Sequence, residues 1–144
     1  MKLIRLAYAY LKQAEARLND AKDAYKDKNN PYTVRLCQEC VELSVKAVLR
    51  AVGIEYPKEH EVSYLLSQLQ ARFPPWFTKD IPFIQETSKA LFRKREIAFY
   101  GGEEAFLTPE DVIGKNDART AVKSADRVFR LSKRLVNEVD HNVS

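Results

Sequence analysis

Arg95 is the residue whose type and setting carry the most chemical meaning in this sequence. It lies in the run Leu91-Phe92-Arg93-Lys94-Arg95-Glu96-Ile97-Ala98-Phe99-Tyr100, which reads as the end of a helix. At about 100° per residue, Leu91, Phe92, Ala98 and Phe99 share one apolar arc. Arg95 falls in the middle of that arc, and Arg93 and Lys94 fall outside it. A guanidinium on a core-facing stripe is costly unless it is paired and hydrogen-bonded. Arg95 is therefore expected against the interior or at a subunit interface, facing a carboxylate. Gln38 and Glu42, at the border of a polar stripe on another helix, are its expected partners, and a bidentate pair with Glu42 would be strong and directional. Such a pair serves either a polar cleft for a phosphate or base, or an internal salt bridge that docks two helices.

Arg35, Glu39, Glu42, Lys46 and Arg50 form that polar stripe, with Glu42 and Lys46 in the favourable i, i+4 order. It reads as a solvated face or, because the rest of the helix is apolar, as the wall of a groove. Arg119, Lys123, Arg127, Arg130 and Arg134, with Lys133 beside them, line up on a later helix. A nucleic-acid backbone could follow that line. With little aromatic interleaving to stack bases, it reads first as a charged outer face. Tyr100 could hydrogen-bond a ligand near Arg93. His60, with Glu59, is expected to cap the third helix, and neither His60 nor His141 has a nucleophile or base near it in sequence.

Cys37 and Cys40 have C-x-x-C spacing, but with no second pair and no neighbouring histidine they read as small apolar residues on a buried face. No glycine-rich phosphate loop, G-x-S-x-G or paired-histidine spacing is present. No metal or cofactor is expected.

Five helices are expected to position these groups. The first spans about Leu3–Asp27, with Ile4, Ala7, Leu11, Ala14, Leu18, Ala21 and Tyr25 on one stripe. Asn30 and Pro31 suit the start of the second, about Tyr32–Val52. Its two apolar stripes, one through Val34, Cys37, Val41, Val45 and Val48 and the other through Leu36, Cys40, Leu43 and Ala47, mark it as the central element. The third covers about Glu61–Arg72, before the rigid aromatic segment Phe73-Pro74-Pro75-Trp76-Phe77. The fourth covers about Asp80–Phe99, stopped by Gly101-Gly102. The loop Glu103–Gly114 carries a cap signature at Thr108-Pro109-Glu110-Asp111. Asn116 then caps the fifth, about Asp117–Asp140, and residues 141–144 form a fraying tail. The expected architecture is all-α: one domain over residues 1–140, an up-and-down bundle of four to five helices.

The chain has 144 residues, four glycines and a formal net charge of +4. This suits one helical domain with a charged surface. The mildly basic balance permits an acidic partner without requiring one. No apolar run nears the ~20 residues that span a bilayer. The opening Met1-Lys2-Leu3-Ile4-Arg5 lacks the apolar stretch of a signal peptide, so the cytoplasm is the expected compartment and no membrane contact is expected.

In order and spacing the sequence resembles the HEPN family. The likeness rests on the long first helix, Leu36-Cys37-Gln38-Glu39-Cys40-Val41-Glu42-Leu43-Ser44-Val45-Lys46-Ala47-Val48-Leu49, His60-Glu61-Val62-Ser63-Tyr64-Leu65-Leu66, and Arg95-Glu96-Ile97-Ala98-Phe99-Tyr100-Gly101. A Thr-Pro-Glu-Asp turn and an alanine-rich helix follow. The resemblance implies a homodimer with a cleft between subunits that receives nucleotide or RNA, and a minimal nucleotidyltransferase partner of toxin–antitoxin type. The family's catalytic motif is an arginine, four to six residues, then a histidine. Arg95 matches the arginine, but the histidine positions hold Tyr100, Gly101 and Gly102. A phenol, titrating near ~10, replaces poorly an imidazole working near neutral pH. The expectation is thus a non-catalytic module that binds through Arg95, Glu42, Gln38, Lys46, Arg93 and Tyr100. The alternatives are a degenerate-motif endoribonuclease using Arg93, Arg95 and Tyr100, and a structural adaptor dimer.

Overall fold

The computed structural model describes residues 2–102 and 105–143, so Met1, Glu103, Glu104 and Ser144, and the expectations that touch them, lie outside the described residues. In chain order the elements are α1 (Lys2–Lys26), α2 (Asn30–Ala51), α3 (Tyr64–Gln68), a 3-10 turn (Gln70–Arg72), α4 (Pro75–Thr78), α5 (Ile81–Tyr100), α6 (Pro109–Val112) and α7 (Lys115–Val143). The fold is an all-α helical bundle, as the periodicity predicts. No described helix is long and apolar enough to cross a membrane.

The core forms because each long helix presents a stripe that only another helix can cover. Helix α1 buries Ala7, Leu11, Ala14, Leu18, Ala21 and Ala24. The alternating alanines let α2 approach closely. On α2 the buried set runs from Val34 through Cys37, Cys40, Val41, Val45 and Val48 to Leu49, so this helix packs against α1, α5 and α7 together. Helix α7 contributes Ala121, Ala125, Val128, Leu135 and Val136. Its far end is tied to α1 where the Tyr8 hydroxyl lies 2.9 Å from Asn137 Oδ1 and 3.0 Å from Asp140 Oδ2.

Several expected helix boundaries shift, each for a visible reason. Asn29, not Asn30, caps α2: its side chain accepts from the Tyr32 amide at 3.4 Å. Asn116 is inside α7 and bonds Arg119. Asp117 closes that helix start by accepting from the Gly114 amide at 2.9 Å. Helix α7 continues through Val143, past the expected stop at Asp140. The third helix is shorter than its sequence pattern suggests. Glu61 stays outside it, where its carboxylate accepts from the Ser63 amide at 3.0 Å and the Ser88 hydroxyl at 2.8 Å. Thr108 and Asp111 form the expected capping box.

Gly101 ends α5 with φ +63 and ψ −149. That backbone region is all but reserved for glycine. A Cβ there would lie 2.6 Å from the Leu107 carbonyl oxygen and 2.7 Å from the Pro109 nitrogen. Gly101→Ala is therefore expected to cost about 1–3 kcal/mol, read as a lower midpoint in thermal unfolding. An unchanged midpoint would show that the turn relaxes freely.

Candidate functional site

Glu42 is the hub of the site. It sits on the rim of α2, where the apolar surface gives way to the polar stripe. Its side chain is 15 % exposed. One oxygen accepts from Gln38 Nε2 at 3.0 Å and the other from Lys46 Nζ at 3.0 Å, one helical turn to either side. His60 Nδ1 lies 3.1 Å from Oε1 and 3.2 Å from Oε2. Burial alone would raise the Glu42 carboxyl, but the hydrogen bonds from Gln38, Lys46 and His60 outweigh it and hold the group below its ordinary range.

His60 arrives from the loop between α2 and α3. Ile54 and Val62 pin that loop by burying their side chains. Its end is fastened to α5 through the Glu61–Ser88 bond. The imidazole lies 6.5 Å from the Phe92 ring, centroid to centroid, and its side chain remains 58 % exposed. A ring nitrogen held by a carboxylate leaves the other nitrogen free to exchange a proton with a ligand. The expectation that His60 caps the third helix with Glu59 is thus corrected: His60 is a partner of Glu42.

Beyond this dyad the surface falls into a groove of about 300 Å³ lined by Arg17, Glu39, Glu42, Leu43, His60 and Arg95. Arg17 is held by Glu39, Nε to Oε1 at 2.9 Å. Arg95 lines the groove but forms no ion pair among the described residues. Its guanidinium carbon lies 5.8 Å from the Phe99 ring centroid. The expected bidentate pair with Glu42 does not form, because Glu42 is already occupied by its own helix and by His60. Arg95 shares a face of α5 with Leu91, which is buried, and Ala98, which is only partly covered by the core, so it stands at the margin of the core and not inside it. The buried residues of α5 are Ile81, Ile84, Thr87, Ser88 and Leu91; beyond them Ala98 packs only partly against the core, and the guanidinium carbon of Arg35 on α2 lies 4.1 Å from the Phe99 ring centroid. Ile97, Phe99 and Tyr100 are exposed there.

Of the predicted site residues, Gln38, Glu42, Lys46 and Arg95 come together in or beside the groove. Arg93 and Tyr100 do not join them. Arg93 lines a separate shallow concavity with Pro82, Gln85, Glu86 and Lys89. Tyr100 is 58 % exposed, with its ring 5.7 Å from that of Phe99. The groove adds Arg17 and His60, which sequence reasoning missed. Arg17 carried a weak signal, at the flank of the α1 stripe beside Ala14 and Leu18. His60 opens one of the segments that carry the family resemblance, but nothing local links it to Glu42, 18 residues earlier. Cys37 and Cys40 are free and fully buried, and burial pushes the Cys40 thiol up to about 12. Among the described residues, no group of three histidine, cysteine or carboxylate side chains could hold a metal ion.

The Glu42 network has a pH consequence. A carboxyl lowered on folding gives its full stabilisation above its ordinary 4.5 and loses it as pH falls through the lowered value. Glu42→Gln is therefore expected to flatten the acid limb of the stability curve, measured as thermal midpoints from about pH 6 to pH 3. A limb as steep as that of the wild type would place the acid sensitivity elsewhere.

Known proteins match this chain over most of its length. The chain is 29 % identical over 141 residues to a Methanocaldococcus jannaschii protein named "Putative toxin MJ1304", covering 94 % of this chain and 91 % of that one. The crystal structure of ST0689, described as an archaeal HEPN homologue, superposes with a TM-score of 0.70 at 25 % identity over 90 % of this chain and 97 % of the other. TT1696 from Thermus thermophilus shares the fold, with a TM-score of 0.71 at 18 % identity over the same shares. The HEPN domain model matches residues 7–135, nearly the whole bundle from the first buried alanine of α1 to the last turns of α7, and the chain therefore belongs to the HEPN family.

Proposed function

We propose that this protein is a toxin-type HEPN module that binds the phosphate of a nucleotide or RNA in the Arg17–His60–Arg95 groove. The observation that carries this reading is the state of Arg95: a half-exposed guanidinium in a groove, with no carboxylate of its own among the described residues. The groove's acids are already engaged, Glu42 by Lys46 and Glu39 by Arg17. An incoming phosphate thus meets a cation whose charge is not spent on a neighbour. The same fact counts against a structural adaptor, which would need Arg95 in an internal salt bridge.

The module acts as a homodimer in this reading. Ile97, Phe99, Tyr100, Phe106 and Leu107 are exposed around the end of α5, and such an apolar cluster fits an interface better than water. A second copy here would lie beside Arg95 and turn the groove into a cleft. A minimal nucleotidyltransferase completes the proposed assembly. The test is calorimetric titration with nucleotides and short RNAs, alongside sedimentation. Uptake by a dimer supports the reading; a monomer giving no heat with either ligand ends it.

The His60–Glu42 dyad favours a second reading, in which the groove also cleaves RNA. The sequence argument against cleavage was the missing motif histidine, and the fold brings an imidazole to the same groove from another element. Positioned acid–base groups contribute about 10²–10⁴-fold to rate. On this reading His60→Ala lowers cleavage of a structured RNA by that factor while Tyr100→Phe leaves it unchanged. Absence of cleavage by the wild type leaves binding alone.

A further inference from the structure

The basic line on α7 is not the plain outer face that its sequence suggests. Arg119, Lys123, Arg127, Arg130, Lys133 and Arg134 share one arc of the helix, and the first and last are separated by about 22 Å of axis. Two aromatic rings from other elements reach this line. The Arg134 guanidinium carbon lies 3.8 Å from the Trp76 ring centroid, and that of Arg127 lies 4.1 Å from the Phe83 ring centroid. Trp76 belongs to α4 and is fixed by its Nε1 donating to Glu138 at 2.9 Å. Phe83 belongs to the first turn of α5. The aromatic interleaving absent from the helix sequence is thus supplied in space.

The acids nearby do not cancel the line. Asp80 pairs with Arg127 at 2.9 Å, and Asp126 pairs with Arg130 at 2.9 Å and with Lys22 at 3.5 Å. Lys123, Lys133 and Arg134 have no carboxylate partner among the described residues, and Arg119 bonds only the neutral Asn116. Phe83 also lines a crevice of about 280 Å³ between α5 and α7, where Glu86 and Asp117 bring carboxylates and Lys94 pairs with Asp117 at 3.0 Å. Leu91 and Ala121 give this crevice an apolar floor, and Thr87, Thr120 and Ser124 bring hydroxyls.

We propose that this surface is a second binding site, for single-stranded nucleic acid lying along α7. The cations track phosphates, and the guanidiniums lying on Trp76 and Phe83 offer flat faces on which bases stack. The crevice takes one base beside Phe83. An acidic protein surface would need the charge but not the planes. The site shares no residue with the Glu42–His60 groove and does not depend on it.

The chain's single tryptophan, Trp76, reports directly on this site. A short single-stranded RNA is titrated into the protein while Trp76 emission and the anisotropy of a label on the RNA are followed. K123E/K133E reverses two exposed, unpaired cations, and its unfolding midpoint is measured alongside to check that the fold is kept. This variant is expected to weaken binding at least about tenfold and to make the dependence of affinity on salt shallower. Arg95→Ala is expected to leave the emission change intact. The proposal is overturned if RNA binds without altering Trp76 emission, or if K123E/K133E binds as the wild type does. It is equally overturned if polyglutamate binds as tightly as RNA and is lost in the same variant, which marks an acidic-protein surface instead. Loss in Arg95→Ala with K123E/K133E unaffected assigns the binding to the groove alone.

Discussion

Arg95→Ala is expected to weaken nucleotide binding by about 10- to 100-fold while leaving the unfolding midpoint near that of the wild type. A hydrogen bond to a charged group is worth about 1.5–3 kcal/mol, and each 1.4 kcal/mol is a factor of about ten in affinity. The unchanged midpoint follows from the geometry. Arg95 makes no ion pair among the described residues, and its guanidinium carbon lies 5.8 Å from the Phe99 ring centroid. Removing it leaves no buried charge without a mate, the usual source of a large penalty. Binding by titration and stability by thermal unfolding thus report on separate properties. Equal affinity in the variant would move the phosphate site away from this groove. A collapse of stability would return Arg95 to a structural role.

The largest loss of stability is expected from Phe77→Ala, about 3–5 kcal/mol in urea unfolding. Phe77 is fully buried, the largest side chain in that state. Its ring lies 5.0 Å from Phe73 and meets Trp76 edge-on at 5.7 Å. Truncation removes both aromatic contacts and leaves a cavity next to a segment stiffened by Pro74 and Pro75, which limits its collapse. A cost below about 1 kcal/mol would mean that the α4 segment collapses to fill the space.

The long helices were legible because their burial is periodic. Ala7, Leu11, Ala14, Leu18 and Ala21 announce α1, and the two stripes of α2 announce its central place. Periodicity fails where side-chain chemistry takes over. Glu61 lies in the apolar pattern of the third helix, yet it turns to Ser63 and Ser88 and delays the helix to Tyr64. The candidate site was legible by half. Gln38, Glu42 and Lys46 were placed together because i, i+4 spacing is a local rule. The pairing of Arg95 was misjudged because a helical wheel gives direction but not depth of burial; on α5 full burial ends at Leu91, and Ala98 is only partly covered. The partner of His60 was hidden for the complementary reason, since no local rule links a loop residue to a helix 18 positions earlier. The ridge on α7 shows the same limit. Its cations are in the sequence, but Trp76 and Phe83 reach them only through the folded path of α4 and α5.

The sealing of Cys37 and Cys40 has a practical corollary. Thiol reagents attack the thiolate at an accessible sulfur, and here burial suppresses both conditions at once. The native chain can therefore serve as its own cysteine-free background for labelling. One engineered thiol at an outward position such as Lys123 would take up a maleimide dye selectively in the folded state. Modification of the native pair would then serve as a clock for global opening of the bundle.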